Sequence, residues 1–251
     1  MNSKKIKKDL LKIHNFLLDT IFPISCICCK KEGNWICQKC FASIKIKEEH
    51  VCPVCEKVLT HAGRTCVNCK NFSEKNFLSG LLPACSYNQS IVSKAVHLFK
   101  YRFIKDLSVT LANLMTRAAQ KTEFPIPDLI IPVPLHQKRL RWRGFNQSQL
   151  LARKFANNLL PNIKLKLSTK ILLRNRNTSP QMNIEDWVGR QQNISEAFSV
   201  SPTADIKNKT VLLVDDIATT GSTIFECAKT LKLAGAKEVF AIVIARQENK
   251  K

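Results

Sequence analysis

Eight cysteines arranged as four C-x-x-C pairs limit what the front of this chain can fold into. They are Cys26/Cys29, Cys37/Cys40, Cys52/Cys55 and Cys66/Cys69. A C-x-x-C turn aims two thiolates at one point, and two such turns complete a tetrahedral zinc site of four sulfurs. The sequence order predicts two sites, built from the first four cysteines and then from the second four. So short a stretch has little core of its own, so the metal must hold it together. Every coordination position is a protein thiolate, which makes these sites structural and leaves no open position for catalysis. A disulfide framework fits poorly, because the chain has 11 cysteines, an odd number, and its opening lacks a cleavable export signal. Cys28 lies inside the first pair and reads as a bystander, with a swap for Cys26 as the alternative. Cys85 and Cys227 stand in apolar surroundings and read as small buried hydrophobes rather than nucleophiles.

Beyond the cysteines the texture changes. "SGLLPACSY" and "PDLIIPVP" read as strands, "IVSKAVHLFKY", "DLSVTLANLMTRAAQ" and "NQSQLLARKFANNLL" as helices, the last capped by Asn146. "TKILLR" predicts another short strand, "TVLLV" a buried strand, "GSTIFECAKTLKLAG" a helix ending at Gly235, and "EVFAIVIAR" a final buried strand. Uninterrupted apolar strands alternating with helices imply an α/β fold with a parallel sheet covered on both faces. The opening "MNSKKIKKDLLKIHNFLLDTIF" suggests an amphipathic helix, and no apolar run is long enough to span a membrane. The expected organisation is an N-terminal helix over 1–22, a double zinc ribbon over 23–75 and an α/β domain over 76–251. Forty Lys and Arg against nineteen Asp and Glu give a formal charge of +21. Such a balance favours a polyanionic partner.

The stretch "VLLVDDIATTGST" at 211–223 poses the chemical question, because two carboxylates stand side by side at the end of an apolar strand. Ligands of open parallel sheets bind outside the carboxyl ends of the strands. Adjacent acids there need partners, and ligand hydroxyls or Mg²⁺ supply them. The hydroxyls and amides that follow, at a helix N-terminus, make a phosphate cradle, with Gly221 allowing close backbone approach. Paired acids beside a phosphate cup match one end of a ribose 5-phosphate. The chain has neither G-x-x-x-x-G-K-[ST] nor G-x-G-x-x-G, so P-loop and dinucleotide readings fail. A second strand end, in "PVPLHQKRLRWRGFNQ", leads into a basic loop with His136, Lys138, Arg139, Arg141 and Arg143, a second anion site. Trp142 lies among those cations, either as a core residue or as an aromatic on a surface for single strands.

Together these stretches resemble the ComF family of competence-associated proteins. The resemblance includes the cysteine pairs, "LFKYRF" at 98–103, "PVPLHQKRLRWRGFNQ" at 132–147, "RNTSPQ" at 176–181, "GRQQNISEAF" at 189–198 and the 211–223 motif. The chain departs from it where a glycine often follows a zinc knuckle, having Lys30, Phe41, Glu56 and Lys70 instead. The resemblance implies a type I phosphoribosyltransferase-like parallel sheet flanked by helices. It places before that sheet a small double zinc ribbon, with four cysteines to each of about two structural Zn²⁺. It implies that Asp215 and Asp216 hold the ribose hydroxyls of phosphoribosyl pyrophosphate (PRPP), brought with Mg²⁺. Ala218, Thr219, Thr220, Gly221, Ser222 and Thr223 would hold the 5-phosphate, and His136, Lys138, Arg139 and Arg143 the pyrophosphate. The polar segment 174–193, with Arg174, Arg176, Thr178, Gln181, Arg190 and Asn193, fits a loop that closes over PRPP. Lys100 and Arg102 are further candidates for stabilising the departing pyrophosphate. No general base stands out. The family implies a cytoplasmic protein, at or near the inner face of the membrane, acting with single-stranded DNA and other competence proteins in natural transformation. Two other readings stay open: turnover as a phosphoribosyltransferase on an unidentified acceptor, and a non-catalytic nucleic-acid-binding module.

Overall fold

The computed structural model describes residues 23–73, 77–160, 162–163, 165–176 and 196–247. The expected N-terminal helix and most of the segment 174–193 lie outside them. The backbone divides into two compact units between Ile44 and Lys45.

In the first unit, a knuckle closes from Cys26 N–H to the Lys31 carbonyl at 2.8 Å, and Ser25 bridges Glu32. It is followed by a five-residue helix, α1 (Gln38–Ala42).

The second unit carries a four-stranded, all-parallel sheet in the order β1 (Gly80–Ser86), β6 (Glu238–Arg246), β5 (Thr210–Ala218), β2 (Leu129–Pro132). The central strands carry continuous apolar runs, β5 from Val211 to Val214 and β6 from Val239 to Ala245. Proline cannot donate to a ladder, and Pro83 and Pro132 accordingly lie on the two outer strands. Around and between the strands run α2 (Val67–Phe72), α3 (Ser90–Tyr101), α4 (Leu107–Lys121), α5 (Gln137–Arg143), α6 (Gln147–Leu159) and α7 (Ser222–Leu233). Helix α4 buries Leu107, Leu111, Leu114, Met115 and Ala118 at helical spacing, packing on β1, β6 and α6. Helix α6 in turn packs on β2 and β5. On the opposite face Ile224, Cys227, Ala228 and Leu231 of α7 join Leu129, Ile131, Leu213, Ala241 and Val243 in one apolar cluster. Both faces of the sheet are therefore covered, as parallel strands require.

Three local expectations are corrected. The segment "TKILLR" does form a strand, β3 (Leu172–Arg174), but it pairs antiparallel with β4 (Phe198–Val200) in a separate ribbon. The basic run after β2 is helix α5 rather than a loop: His136 Nδ1 accepts from the Lys138 amide, and Gly144 closes the helix at φ 74°. Finally, β5 continues through Asp215 and Asp216 to Ala218 instead of stopping at Val214. Its neighbour β2 ends at Pro132, opposite Val214, so the acids stand on a strand segment that overhangs that edge.

The outer edge of β1 is closed by the segment that holds the second cysteine quartet. Ile46 bridges Cys85, Arg64 bridges Gly80, and Lys47 N–H donates to the Ala84 carbonyl at 2.9 Å. Covering an edge in this way removes an open template for aggregation. Gly63 makes the approach possible: at φ +67°, a Cβ on it would lie 2.1 Å from the Leu81 carbonyl oxygen. Among the described residues no helix is long and apolar enough to cross a membrane.

Candidate functional site

The overhang of β5 forms the floor of a cavity of about 150 Å³. Its walls come from the end of α3 (Lys100, Tyr101), the turn after β2 (Val133, Pro134, Leu135), α5 (Arg139, Arg143), α6 (Gln147, Ser148), Arg174, and Thr219 and Thr223.

Asp216 is buried, and its Oδ1 accepts from the Ile217 amide at 2.7 Å and from Lys100 Nζ at 2.9 Å. Burial works against the Lys100 ammonium, but Asp216 and Asp215 outweigh it and hold its pKa above the ordinary value. Asp215 is half-buried, and its Oδ1 accepts from Ser148 Oγ at 2.8 Å and from the Asp216 amide at 2.9 Å. Burial, and then the charge of Asp216, push the Asp215 carboxyl up to about 7. The two acids therefore differ: Asp216 is neutralised by a lysine, while Asp215 gives up its proton reluctantly near neutral pH.

The same cavity is lined by three guanidinium groups, those of Arg139, Arg143 and Arg174. Burial and then Arg143 hold Arg139 below the usual arginine range, and burial and then Arg139 do the same to Arg174. Arginine does not discharge in practice, so this crowding is an electrostatic cost that an anion in the cavity would relieve. Two buried donors on the wall, Arg143 Nε and Gln147 Nε2, have no hydrogen-bond partner among the described residues. Such groups are expensive to leave unmatched, and a ligand oxygen would satisfy them.

The loop after β5 turns into α7 through Gly221 in the left-handed region, φ 78°. Thr220 Oγ1 and Ser222 Oγ lie 2.8 Å apart, and Thr220 Oγ1 accepts from the Ser222 amide at 3.4 Å. The first turn of this 12-residue helix brings amides and hydroxyls together at its positive end.

The structure thus brings Asp215, Asp216, Lys100, Arg139, Arg143, Arg174, Thr219 and Thr223 to one cavity. Ala218, Thr220, Gly221 and Ser222 complete the loop beside it. His136 and Lys138 lie outside its lining, His136 as the cap of α5. Arg190, Thr178 and Gln181 fall outside the described residues. Sequence reasoning missed Ser148, Gln147 and Tyr101. The signal for the first two was Asn146: its Oδ1 caps α6 and its Nδ2 donates to the Val133 carbonyl at 3.0 Å. That places the following Gln147 and Ser148 against the strand end.

The cysteines form the two sequential quartets expected. In each, the four Sγ atoms lie within 4.8 Å of one another, and Cys28 is excluded and exposed. Cys29 and Cys37 Sγ are 3.5 Å apart, close to the roughly 3.8 Å edge of a tetrahedron with 2.3 Å zinc–sulfur bonds. Amides support the thiolates, as from Cys37 N–H to Cys26 Sγ and from Cys66 N–H to Cys52 Sγ. Burial opposes the Cys26 thiolate, yet the amides of Cys29, Cys37 and Cys28 bring its pKa down to about 6. The donor sets fit Zn²⁺. Cys85 and Cys227 are fully buried, and burial raises the pKa of each thiol.

Fold and site together define a phosphoribosyltransferase-type domain carrying a double zinc ribbon. The phosphoribosyl transferase domain model matches residues 146–251, and the double zinc ribbon domain model matches 17–70. Competence protein F of Haemophilus influenzae is 30% identical over 235 residues, covering 90% of this chain and 98% of that protein. The DNA utilization protein YhgH of Escherichia coli O6:H1 is 29% identical, covering 82% and 88%. Competence protein ComFC of Streptococcus pneumoniae is 25% identical, covering 86% and 90%. The glutamine PRPP amidotransferase of B. subtilis, solved with ADP and GMP, aligns with a TM-score of 0.40 at 20% identity, over 59% of this chain and 30% of that one. The chain belongs to the competence protein F (ComF) family.

Proposed function

We propose that the cavity binds PRPP with Mg²⁺, and that the protein uses this site together with single-stranded DNA during natural transformation. The observation that carries the reading is the placement of paired acids and an arginine cluster in the lining of one cavity. A nucleic-acid phosphate has no use for Asp215 and Asp216 and is repelled by them, whereas ribose hydroxyls donate to carboxylates. The relatives named for competence and DNA utilization support the DNA half of the proposal, as does the charge of +21.

In this reading Asp215 and Asp216 accept from the ribose hydroxyls, and Thr219 to Thr223 bind the 5-phosphate. Arg139, Arg143 and Arg174 face the pyrophosphate. Their guanidinium groups stabilise charge as it develops on that leaving group. Lys100, 2.9 Å from Asp216 Oδ1, holds that carboxylate in place. The acids and the pyrophosphate oxygens are the groups that would hold Mg²⁺, and a bound Mg²⁺ spreads the leaving group's charge.

Calorimetry of PRPP binding to the zinc-loaded protein, with and without Mg²⁺, tests the site. Mg²⁺-dependent binding that is lost in Asp215→Asn/Asp216→Asn, with zinc content unchanged, is the expected result. Unaltered affinity in that variant refutes the assignment. Turnover on an acceptor is the second reading, and pyrophosphate release across candidate acceptors separates it from binding alone.

A further inference from the structure

Helix α5, which gives Arg139 and Arg143 to the cavity, also carries an exposed ring that the PRPP reading does not use. The helix has no fully buried residue, and Trp142 on it is 65% exposed, with Leu140 near it in sequence also exposed. An indole left in water on a helix otherwise made of cations, one leucine and glutamine is an unused contact surface.

The ring is nonetheless held. Phe103 meets Trp142 edge-on, with centroids 5.4 Å apart and planes at 85°. Phe103 in turn meets the buried Phe145 edge-on at 6.3 Å, and Phe145 lies 6.0 Å from the fully buried Phe99. A line of aromatic rings thus runs from the core to the surface and ends on Trp142. Phe103 takes a left-handed backbone conformation, φ 58°, to occupy its place. For a bulky aromatic residue that conformation is strained, and it persists only where the surroundings enforce it.

The surroundings are cationic. Residues 100–106 and 136–145 carry Lys100, Arg102, Lys105, Lys138, Arg139, Arg141 and Arg143 against one acid, Asp106. The Arg143 guanidinium lies 5.8 Å from the Trp142 ring centroid and also lines the cavity, while Lys105 Nζ lies 5.2 Å from the Phe145 ring centroid. Tyr101, whose ring lies 4.9 Å from that of His97 with the planes tilted at 41°, is part-exposed and lines the cavity.

We propose that Trp142, backed by Phe103 and flanked by Arg141 and Arg143, is a base-stacking platform that holds single-stranded nucleic acid beside the cavity. This deepens the DNA half of the function proposed above by naming the surface. An exposed, rigidly backed ring offers a face on which an unpaired base stacks, and the cations around it track the phosphates. A duplex keeps its bases stacked on each other and cannot use the ring.

The test is anisotropy titration of a labelled oligothymidylate of about 12 nucleotides against the full-length, zinc-loaded protein. Trp142→Ala is expected to weaken binding by roughly 5- to 100-fold, and Trp142→Phe to restore most of the loss. The slope of log affinity against log salt should be unchanged in Trp142→Ala and shallower in Arg141→Ala. Calorimetry of PRPP on Trp142→Ala should match wild type, so a failure of PRPP binding in the wild type speaks against the cavity and not against the platform. Equal oligonucleotide affinity in wild type and Trp142→Ala, equal affinity for a duplex, or no wild-type binding overturns the platform.

Discussion

The first cysteine quartet and the second present the same four thiolates but differ in what else holds the chain around them. Around Cys26, Cys29, Cys37 and Cys40 there is one knuckle bridge, a five-residue helix and, besides the cysteines, only Ile36 and Ile44 as buried apolar side chains among the described residues of that unit. Around Cys52, Cys55, Cys66 and Cys69 the chain is bonded to the sheet. Arg64 and Thr65 lie along β1, and the buried Arg246 at the end of β6 donates to the Pro53 carbonyl at 3.4 Å and pairs with Glu56. One quartet organises its own surroundings. The other fastens a strip of chain across a sheet edge, so its metal bears on the whole α/β domain.

The largest test is to remove one metal at a time. Cys52→Ser/Cys55→Ser should lower the melting temperature of the α/β domain by about 10–20 °C, on the order of 5 kcal/mol. Cys26→Ser/Cys29→Ser should leave that transition within about 2 °C while losing one equivalent of zinc. Calorimetric scans with zinc analysis check both, and equal shifts would break the comparison. Gly63→Ala comes next: a Cβ there collides with the Leu81 carbonyl and needs a left-handed backbone, at a cost of about 3 kcal/mol in denaturant titration. Arg246→Ala should cost less, about 1–2 kcal/mol, since it loses one carbonyl bond and an ion pair whose glutamate is 46% exposed.

The smallest effect sharpens the contrast through pH. Asp215 is an acid whose folded pKa, about 7, lies above its usual 3.8. The folded form holds that proton longer, so stability falls as pH rises from about 4 to about 7 and stays lower above. Asp215→Asn removes the titration. It should therefore stabilise the domain at pH 8 by on the order of 1–2 kcal/mol and have no effect at pH 4. Melting curves across that range check it, and the gain should persist without the first metal.

Much of this was legible in the sequence because it rested on local chemistry. The cysteine spacing announced both quartets, the apolar runs announced four strands, and the acids at 215 and 216 announced the cavity floor. What the sequence hid were relations between distant residues. Lys100 reads as one cation in a helical run until the fold sets it 2.9 Å from Asp216. Ser148 reads as helix-start punctuation until it donates to Asp215. The basic run of α5 reads as a loop because its charges hide a seven-residue helix with no fully buried residue. The join of the second quartet to β1 and β6 depends on Gly63 and Arg246, whose partners lie far along the chain.

The sheet order β1-β6-β5-β2 has a consequence for how the protein is made. The strand that pairs with both β1 and β5 is the last of the four to be synthesised, and Val239 meets Ser79 across 160 residues. At roughly 5–20 residues per second, a ribosome needs on the order of 8–30 seconds to supply that partner. During that interval β1 has no inner neighbour, and Pro53 and Glu56 wait for Arg246. A nascent chain of this design spends its early life with a hydrophobic strand unpaired, and its yield in the cell depends on what shields that strand until β6 emerges.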